Sequence, residues 1–227
     1  MLIGVDFDNT IVCYDGIFFD VALEMGLITE GIEKSKTAIR DYIQAHHANQ
    51  AWTLLQSEVY GAHMSEARPY PGVAEFFECC RRQSVSLWII SHKSLYPAVG
   101  KAYNLHRSAL AWLAENGFLR SDGALLSPDR VVFAEARAEK IKQILKLGCT
   151  HFIDDLPEVF SDGDFPKNVE KILFDPRGAY PHWPHGIHVL SWRQIQEILF
   201  SNASRDCETQ RESSHRVPQR STRPHRS

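Results

Sequence analysis

Leu2-Ile3-Gly4-Val5-Asp6-Phe7-Asp8-Asn9-Thr10-Ile11 is the stretch whose reading decides the fold of this chain. A short apolar run bounded by polar residues suits a strand buried on both faces. It stops at Asp6, and residues i and i+2 leaving a strand point to the same side. Asp6 and Asp8 therefore offer two carboxylates to one site while Phe7 faces the other way. Side-by-side anions repel, and the pair makes chemical sense when a divalent cation sits between carboxylate and substrate.

Working outward, the same pattern recurs. Val85 to Ile90, interrupted by Ser86, ends at Ser91; Phe152-Ile153 ends at Asp154-Asp155; Ile172 to Phe174 ends at Asp175; and Ile187 to Leu190 follows. Helical patterns lie between these runs at 71–83, 108–116, 135–147 and 191–200, several with a stop signal in Gly117 or Gly148 or a cap in Ser191. Strands alternating with helices predict an α/β fold, a doubly wound, Rossmann-like parallel sheet. Ligands bind such sheets beyond the carboxyl ends of the strands, which is where Asp6, Ser91 and Asp154 fall.

One stretch breaks the alternation. Between the first strand and Pro71 the chain is far too long for a strand-to-helix loop. Ile32, Ile39, Ile43 and His46 share a helical face there, as do Trp52, Leu55 and Val59. The sequence thus predicts a helical cap at 14–70 inserted after the first strand, an α/β catalytic core at 1–13 plus 71–202, and a disordered tail at 203–227. That tail holds six arginines against three acids and one aliphatic residue, Val217. Its +3 leaves −6 on the rest of a chain whose formal charge is −3. Too little of it is apolar to offset the entropy of ordering.

The length, 227 residues, allows one domain with something added. No apolar run is long enough to span a membrane, and Met1 to Asp6 lacks the lead of a signal peptide, so a cytoplasmic protein is expected. The five cysteines form no CxxC pair and read as reduced thiols. His182, His185 and His188 recur every third residue, but Pro181, Pro184 and Gly186 break any helix that could align them on a metal. Asp175-Pro176-Arg177-Gly178 has ordinary turn chemistry.

On these motifs the sequence resembles the haloacid dehalogenase (HAD) superfamily, most of whose members are magnesium-dependent phosphatases. Asp6-Phe7-Asp8-Asn9-Thr10-Ile11 is similar to its first motif, Ser91 to the hydroxyl of the second, Lys140 to the lysine of the third, and Phe152-Ile153-Asp154-Asp155 to the fourth. The resemblance covers roughly Met1 to Phe200. It implies that Asp6 attacks phosphorus to form an aspartyl phosphate and that Asp8 protonates the leaving oxygen, then activates water. The latter role favours a carboxyl with a raised pKa. Mg2+ would be held by Asp6, the Asp8 main-chain carbonyl and Asp154, with Asp155 as a direct ligand or as a partner behind one, and with Ser91 and Lys140 on the phosphate oxygens.

Lys140 shares a helical row with Ala136, Ile144 and Leu147, the apolar side, whereas Lys142 and Lys146 align on a more polar row. Lys93, two residues beyond Ser91, competes for the phosphate, and His92 beside it is a further substrate candidate. The expected partner is a small phosphorylated metabolite, a sugar phosphate or nucleoside monophosphate, rather than nucleic acid or a membrane. Tyr42, Trp52 and Tyr60 are the cap aromatics nearest to such a role. A phosphonatase would want an amine from the cap, which offers Lys34 and Lys36 alone. A non-catalytic scaffold would lack a nucleophile or metal ligand, and every group is present. A nucleic-acid-end phosphatase rests on the arginine tail alone.

Overall fold

The computed structural model describes residues 1–48, 50–119 and 125–200; the tail expected at 203–227 lies outside the described residues. In chain order, strand β1 (Leu2–Val5) leads to β2 (Val12–Cys13), helices α1 (Asp15–Glu24), α2 (Lys36–His46) and α3 (Gln50–Tyr60), and β3 (Arg68–Pro69). Then come α4 (Val73–Arg82), β4 (Ser86–His92), α5 (Leu105–Glu115), β5 (Val131–Ala134), α6 (Arg137–Leu147) and β6 (His151–Asp154). The single-turn α7 (Pro157–Phe160), β7 (Glu170–Phe174), β8 (Ile187–Val189) and a helix over 192–200 follow among the described residues.

Six strands form one parallel sheet in the order β5-β4-β1-β6-β7-β8. The chain builds outward from β1 through β4 to β5, then crosses to the other side of β1 and builds outward again. The order therefore reverses between β1 and β6, and such a switch point leaves a crevice at the carboxyl edge of the sheet. Gly4 lets β1 approach β6 closely, because a Cβ there would stand 2.6 Å from the Phe152 ring.

Alternation along the strands divides the apolar side chains between two faces. Ile153, Ile172 and Phe174 pack with Phe76, Phe77, Trp112 and Trp192 on one side; Phe152 and Leu173 pack with Ile141, Ile144 and Phe160 on the other. The helices cover both faces, as a doubly wound sheet requires. Ser35 caps α2 by accepting the Ala38 amide at 3.1 Å, and Gly148 ends α6 at φ +72°.

Some boundaries differ from the expected ones. Strand β4 continues past Ile90 through Ser91 and His92 because β5 pairs with it there, Ser91 opposite Phe133 and His92 opposite Ala134. β5 itself was not among the expected runs. Helix α4 starts at Val73 rather than Pro71, since Gly72 takes the cap position at φ +89°. Ile32 precedes α2 and is not on its face.

Helices α1 to α3 lie between β2 and β3, which pair antiparallel through Val12–Pro69 and Cys13–Arg68. This ribbon brings the two ends of the helical segment together beside the carboxyl edge of β1. Among the described residues, no helix is long and apolar enough to cross a membrane, and Cys13, Cys79, Cys80 and Cys149 are free thiols.

Candidate active site

Asp6 prolongs β1, its amide donating to the Ile153 carbonyl at 2.9 Å. Phe7 turns into the core and meets Trp112 and Phe133 edge-on. The chain then doubles back, with the Ile11 and Val12 amides donating to the Phe7 carbonyl. Asn9 adopts φ +57° to make that turn, a left-handed conformation that asparagine tolerates better than most residues. Asp6 and Asp8 are thereby aimed at one site on either side of an anchored aromatic.

Around Asp6 the expected residues converge. Its Oδ1 accepts from Ser91 Oγ at 2.9 Å and from Lys140 Nζ at 2.6 Å. The same ammonium donates to Asp154 Oδ2 at 2.6 Å. Carboxylate oxygens of Asp6, Asp154 and Asp155 lie within 4.8 Å of one another. Asp155 in turn accepts from Thr10 Oγ1 at 3.4 Å.

Burial drives the Asp6 carboxyl up to about 6, with Asp154 and Asp8 adding to the rise and Lys140 opposing it. Asp155 is likewise pushed well above the carboxylate range by burial and by its acidic neighbours Asp154 and Asp6. Burial works against the charge on Lys140, yet Asp154 and Asp6 outweigh it and hold the ammonium protonated. Three clustered carboxylates that offer only oxygen donors fit a hard divalent cation of the magnesium type.

Asp8 departs from expectation. Lys93 Nζ reaches both of its oxygens at 2.9 Å, and the Tyr14 hydroxyl donates to Oδ1 at 2.5 Å. Burial alone would raise its pKa, but Lys93, Tyr14 and, farther off, Lys36 reverse the shift and lower it. The raised carboxyl expected for Asp8 is thus corrected: a buried ion pair and a phenol favour its charged form.

Lys140 and Lys93 do not compete for one place, since each holds a different aspartate. His92 points away, because alternation along β4 sends Ser91 to the site and its neighbour elsewhere; the exposed ring contacts the Glu135 carbonyl at 3.1 Å through Nε2. Asp175 is structural, accepting the Ala179 and Tyr180 amides at 2.9 and 2.8 Å and pairing with His188 Nε2 at 2.9 Å. Of the aromatics in the helical segment, Tyr42 stacks on His46, Trp52 stacks on Phe18, and Tyr60 meets Tyr14 edge-on.

Sequence reasoning did not single out Tyr14, Asn9 or a site role for Lys36. Tyr14 lies at the start of the insertion, off any periodic face, and only the turn after Asp8 brings its hydroxyl back. Lys36 enters the same space from α2, its Nζ 3.4 Å from Asn9 Oδ1.

No protein-family model matches the chain, and no curated protein matches it in sequence. Solved structures do match in shape. A HAD-family hydrolase from Deinococcus radiodurans R1 with bound phosphate and sodium superposes with a TM-score of 0.52 at 16% identity, over 88% of this chain and 95% of that one. A HAD-superfamily hydrolase from Ehrlichia chaffeensis gives 0.52 at 12% identity, over 88% and 96%. A Bacillus subtilis protein described as a HAD hydrolase and bound to magnesium gives 0.51 at 12% identity, over 87% and 97%. Over most of its length the chain is therefore similar in fold to hydrolases of the haloacid dehalogenase superfamily.

Proposed function

We propose that the protein is a magnesium-dependent phosphohydrolase acting on a small phosphomonoester, with the helical segment at 14–70 as a cap over an α/β core. The observation that carries the reading is the convergence on Asp6 of one hydroxyl, one ammonium and a second acidic strand end: Ser91 at 2.9 Å and Lys140, shared with Asp154, at 2.6 Å. A lone buried acid needs one partner. This one has the groups that line up a phosphate beside a nucleophile.

Asp6 attacks phosphorus, and the bond to the leaving oxygen breaks as Asp8 delivers a proton to it. Asp8 then takes a proton from water, whose oxygen attacks phosphorus and releases Asp6. The pairing of Asp8 with Lys93 and Tyr14 favours the ionised form that the second step uses. A phosphate dianion entering beside Asp8 draws on the Lys93 ammonium and raises the carboxyl for the first step. Ser91 and Lys140 hold the non-bridging oxygens. Asp6, the Asp8 carbonyl, Asp154 and Asp155 would hold magnesium, which when bound neutralises charge on the phosphate.

A phosphonatase-type Schiff base needs a neutral amine. Burial disfavours the charge on Lys36, but Tyr60, Asp8 and Asp155 outweigh it and raise its pKa, so this cap amine stays protonated. Purified full-length protein should release phosphate from a generic aryl phosphate with magnesium and not in chelator. Asp6→Asn should abolish turnover while leaving the melting temperature near that of the wild type. Undiminished activity in either condition would overturn the mechanism.

A further inference from the structure

We propose that the cleft between Asp155, the Asn9 turn and Lys36 selects substrates whose leaving group carries its own negative charge, a carboxylate or a second phosphate, and that Lys36 recognises that charge. The inference rests on the phosphohydrolase reading and adds the substrate class to it.

Lys36 is the first residue of α2, and both ends of it are held. Its amide donates to Asp15 Oδ1 at 2.9 Å, and Asp15 is itself fixed by Arg177 Nη2 at 2.7 Å. Its side chain runs among three rings, with Nζ 5.4 Å from the centroid of Phe18, 5.5 Å from Tyr60 and 5.8 Å from Tyr14. Aromatic faces attract an ammonium, and the Tyr60 hydroxyl offers it one neutral acceptor, but none of the three rings supplies a charged acceptor for its three N–H groups.

The other two site lysines have carboxylates in contact: Lys93 has Asp8, and Lys140 has Asp6 and Asp154. Among the described residues, no carboxylate lies within ion-pair distance of Lys36, and its hydrogen bond to Asn9 is long, at 3.4 Å. The left-handed turn at Asn9 presents that amide from the catalytic loop. A cation steered into a site by both backbone and rings, met there by neutral acceptors and no contacting carboxylate, calls for an anionic partner arriving with the ligand.

The space for that partner is present. A cleft of about 250 Å³ is lined by Asn9, Lys36, Arg40, Trp52, Asp155 and Tyr180, among others; two further acids of its lining are already taken, Asp15 by Arg177 and Asp175 by His188. Asp155 joins it to the acidic cluster. Arg40, one turn along α2, adds a second positive charge, and its pairing with Asp41 is exposed at both ends, so little holds it there. The volume suits a leaving group of a few carbons rather than a macromolecule. A neutral polyol would be served by amides and hydroxyls and would leave Lys36 with no anion in contact.

The test compares phospho-lactate, propanediol bisphosphate and propyl phosphate, which present a carboxylate, a second phosphate and no added charge. The wild type should favour at least one anionic substrate over propyl phosphate in kcat/KM by about tenfold or more, the range expected when a charged hydrogen-bonding site meets an analogue lacking its partner. Lys36→Met should collapse that preference mainly through KM, and Lys36→Arg should retain part of it. Which anionic substrate is preferred identifies the carboxylate or the phosphate. Absence of any preference in the wild type, or an equal loss on all three substrates in Lys36→Met, overturns the proposal.

Should Lys36→Met fail to fold, Lys36→Gln serves for the same comparison. If the wild type turns over none of the three nor an aryl phosphate, the phosphohydrolase reading falls. Calorimetric titration of propanediol bisphosphate then decides the Lys36 site separately: binding about tenfold weaker in the variant supports it, and equal binding refutes it.

Discussion

The Lys93 ammonium stands 2.9 Å from each carboxylate oxygen of Asp8, and so lies on a different aspartate from Lys140, which spans Asp6 and Asp154. One lysine faces the proposed nucleophile and an acid of the cluster; the other faces the acid proposed to handle the proton. The two ion pairs are buried to different degrees, with the Asp154 side chain fully covered and that of Asp8 20% exposed. That difference separates the consequences of losing each lysine.

Lys140→Met should cost about 3–5 kcal/mol of stability in chelator, because it strands two buried carboxylates. Saturating magnesium should restore part of this, and urea unfolding with and without the ion reads the difference. Turnover should fall by roughly 10²–10³, as for loss of a group stabilising developing charge. Lys93→Met should lower kcat with a smaller stability loss, since water reaches Asp8. A larger stability loss at Lys93 would contradict this ordering.

Asp175 makes stability depend on acid. Burial raises its carboxyl, but the Tyr180 and Ala179 amides and His188 outweigh this and hold the pKa below 3.8. A depressed folded-state pKa stabilises fully above the unfolded value and is lost as pH falls through the folded one. Asp175→Asn should therefore be less stable than wild type at neutral pH by about 1–3 kcal/mol, and the gap should begin to narrow below pH about 4 and close once pH has fallen through the folded value. Denaturant curves at the two pH values would show it; a constant gap would refute it.

Trp192 reaches back from the helix over 192–200 to the turn after β1, its indole Nε1 donating to the Thr10 carbonyl at 3.0 Å in the core. Trp192→Phe keeps an aromatic there but leaves that carbonyl without a donor. The expected cost is about 1–3 kcal/mol, with reduced kcat as the turn carrying Asp6 and Asp8 loosens. Unchanged urea midpoints would contradict it.

Arg177, in the turn after β7, bonds to Asp15, Glu33 and the Lys34 carbonyl at 2.7, 3.0 and 3.2 Å, tying the core to the helical segment. Its side chain is 44% exposed, so Arg177→Ala should cost about 1 kcal/mol or less. Because Asp15 also holds the Lys36 amide, KM should rise more than kcat falls. Thermal melts and steady-state kinetics on one preparation separate the two effects.

Much of the fold was legible in local pattern. Apolar runs ending at Asp6, Ser91 and Asp154 mark strands because parallel strands are buried on both faces, and polar residues can end them only where the sheet meets solvent or ligand. β5 was missed: Val131 to Ala134 is short, and its pairing with β4, which also extends β4 to His92, is a long-range contact that no local window contains. Lys140 could be chosen over its helical neighbours because charge on an apolar face is costly unless paired.

By itself, then, the sequence determined a parallel α/β sheet, a helical insertion after its first strand, and the acids and lysines available for chemistry. These follow from periodicities of two and 3.6 residues, which are properties of the chain's own geometry. Only the tertiary structure decided which lysine meets which aspartate, that Tyr14 and Lys93 hold Asp8 in its charged form, that His92 turns outward, and that Lys36 comes among three rings beside Asn9. Each of these depends on how far apart segments cross in space. Electrostatic energy varies with that separation and with burial, neither of which is written in the order of residues.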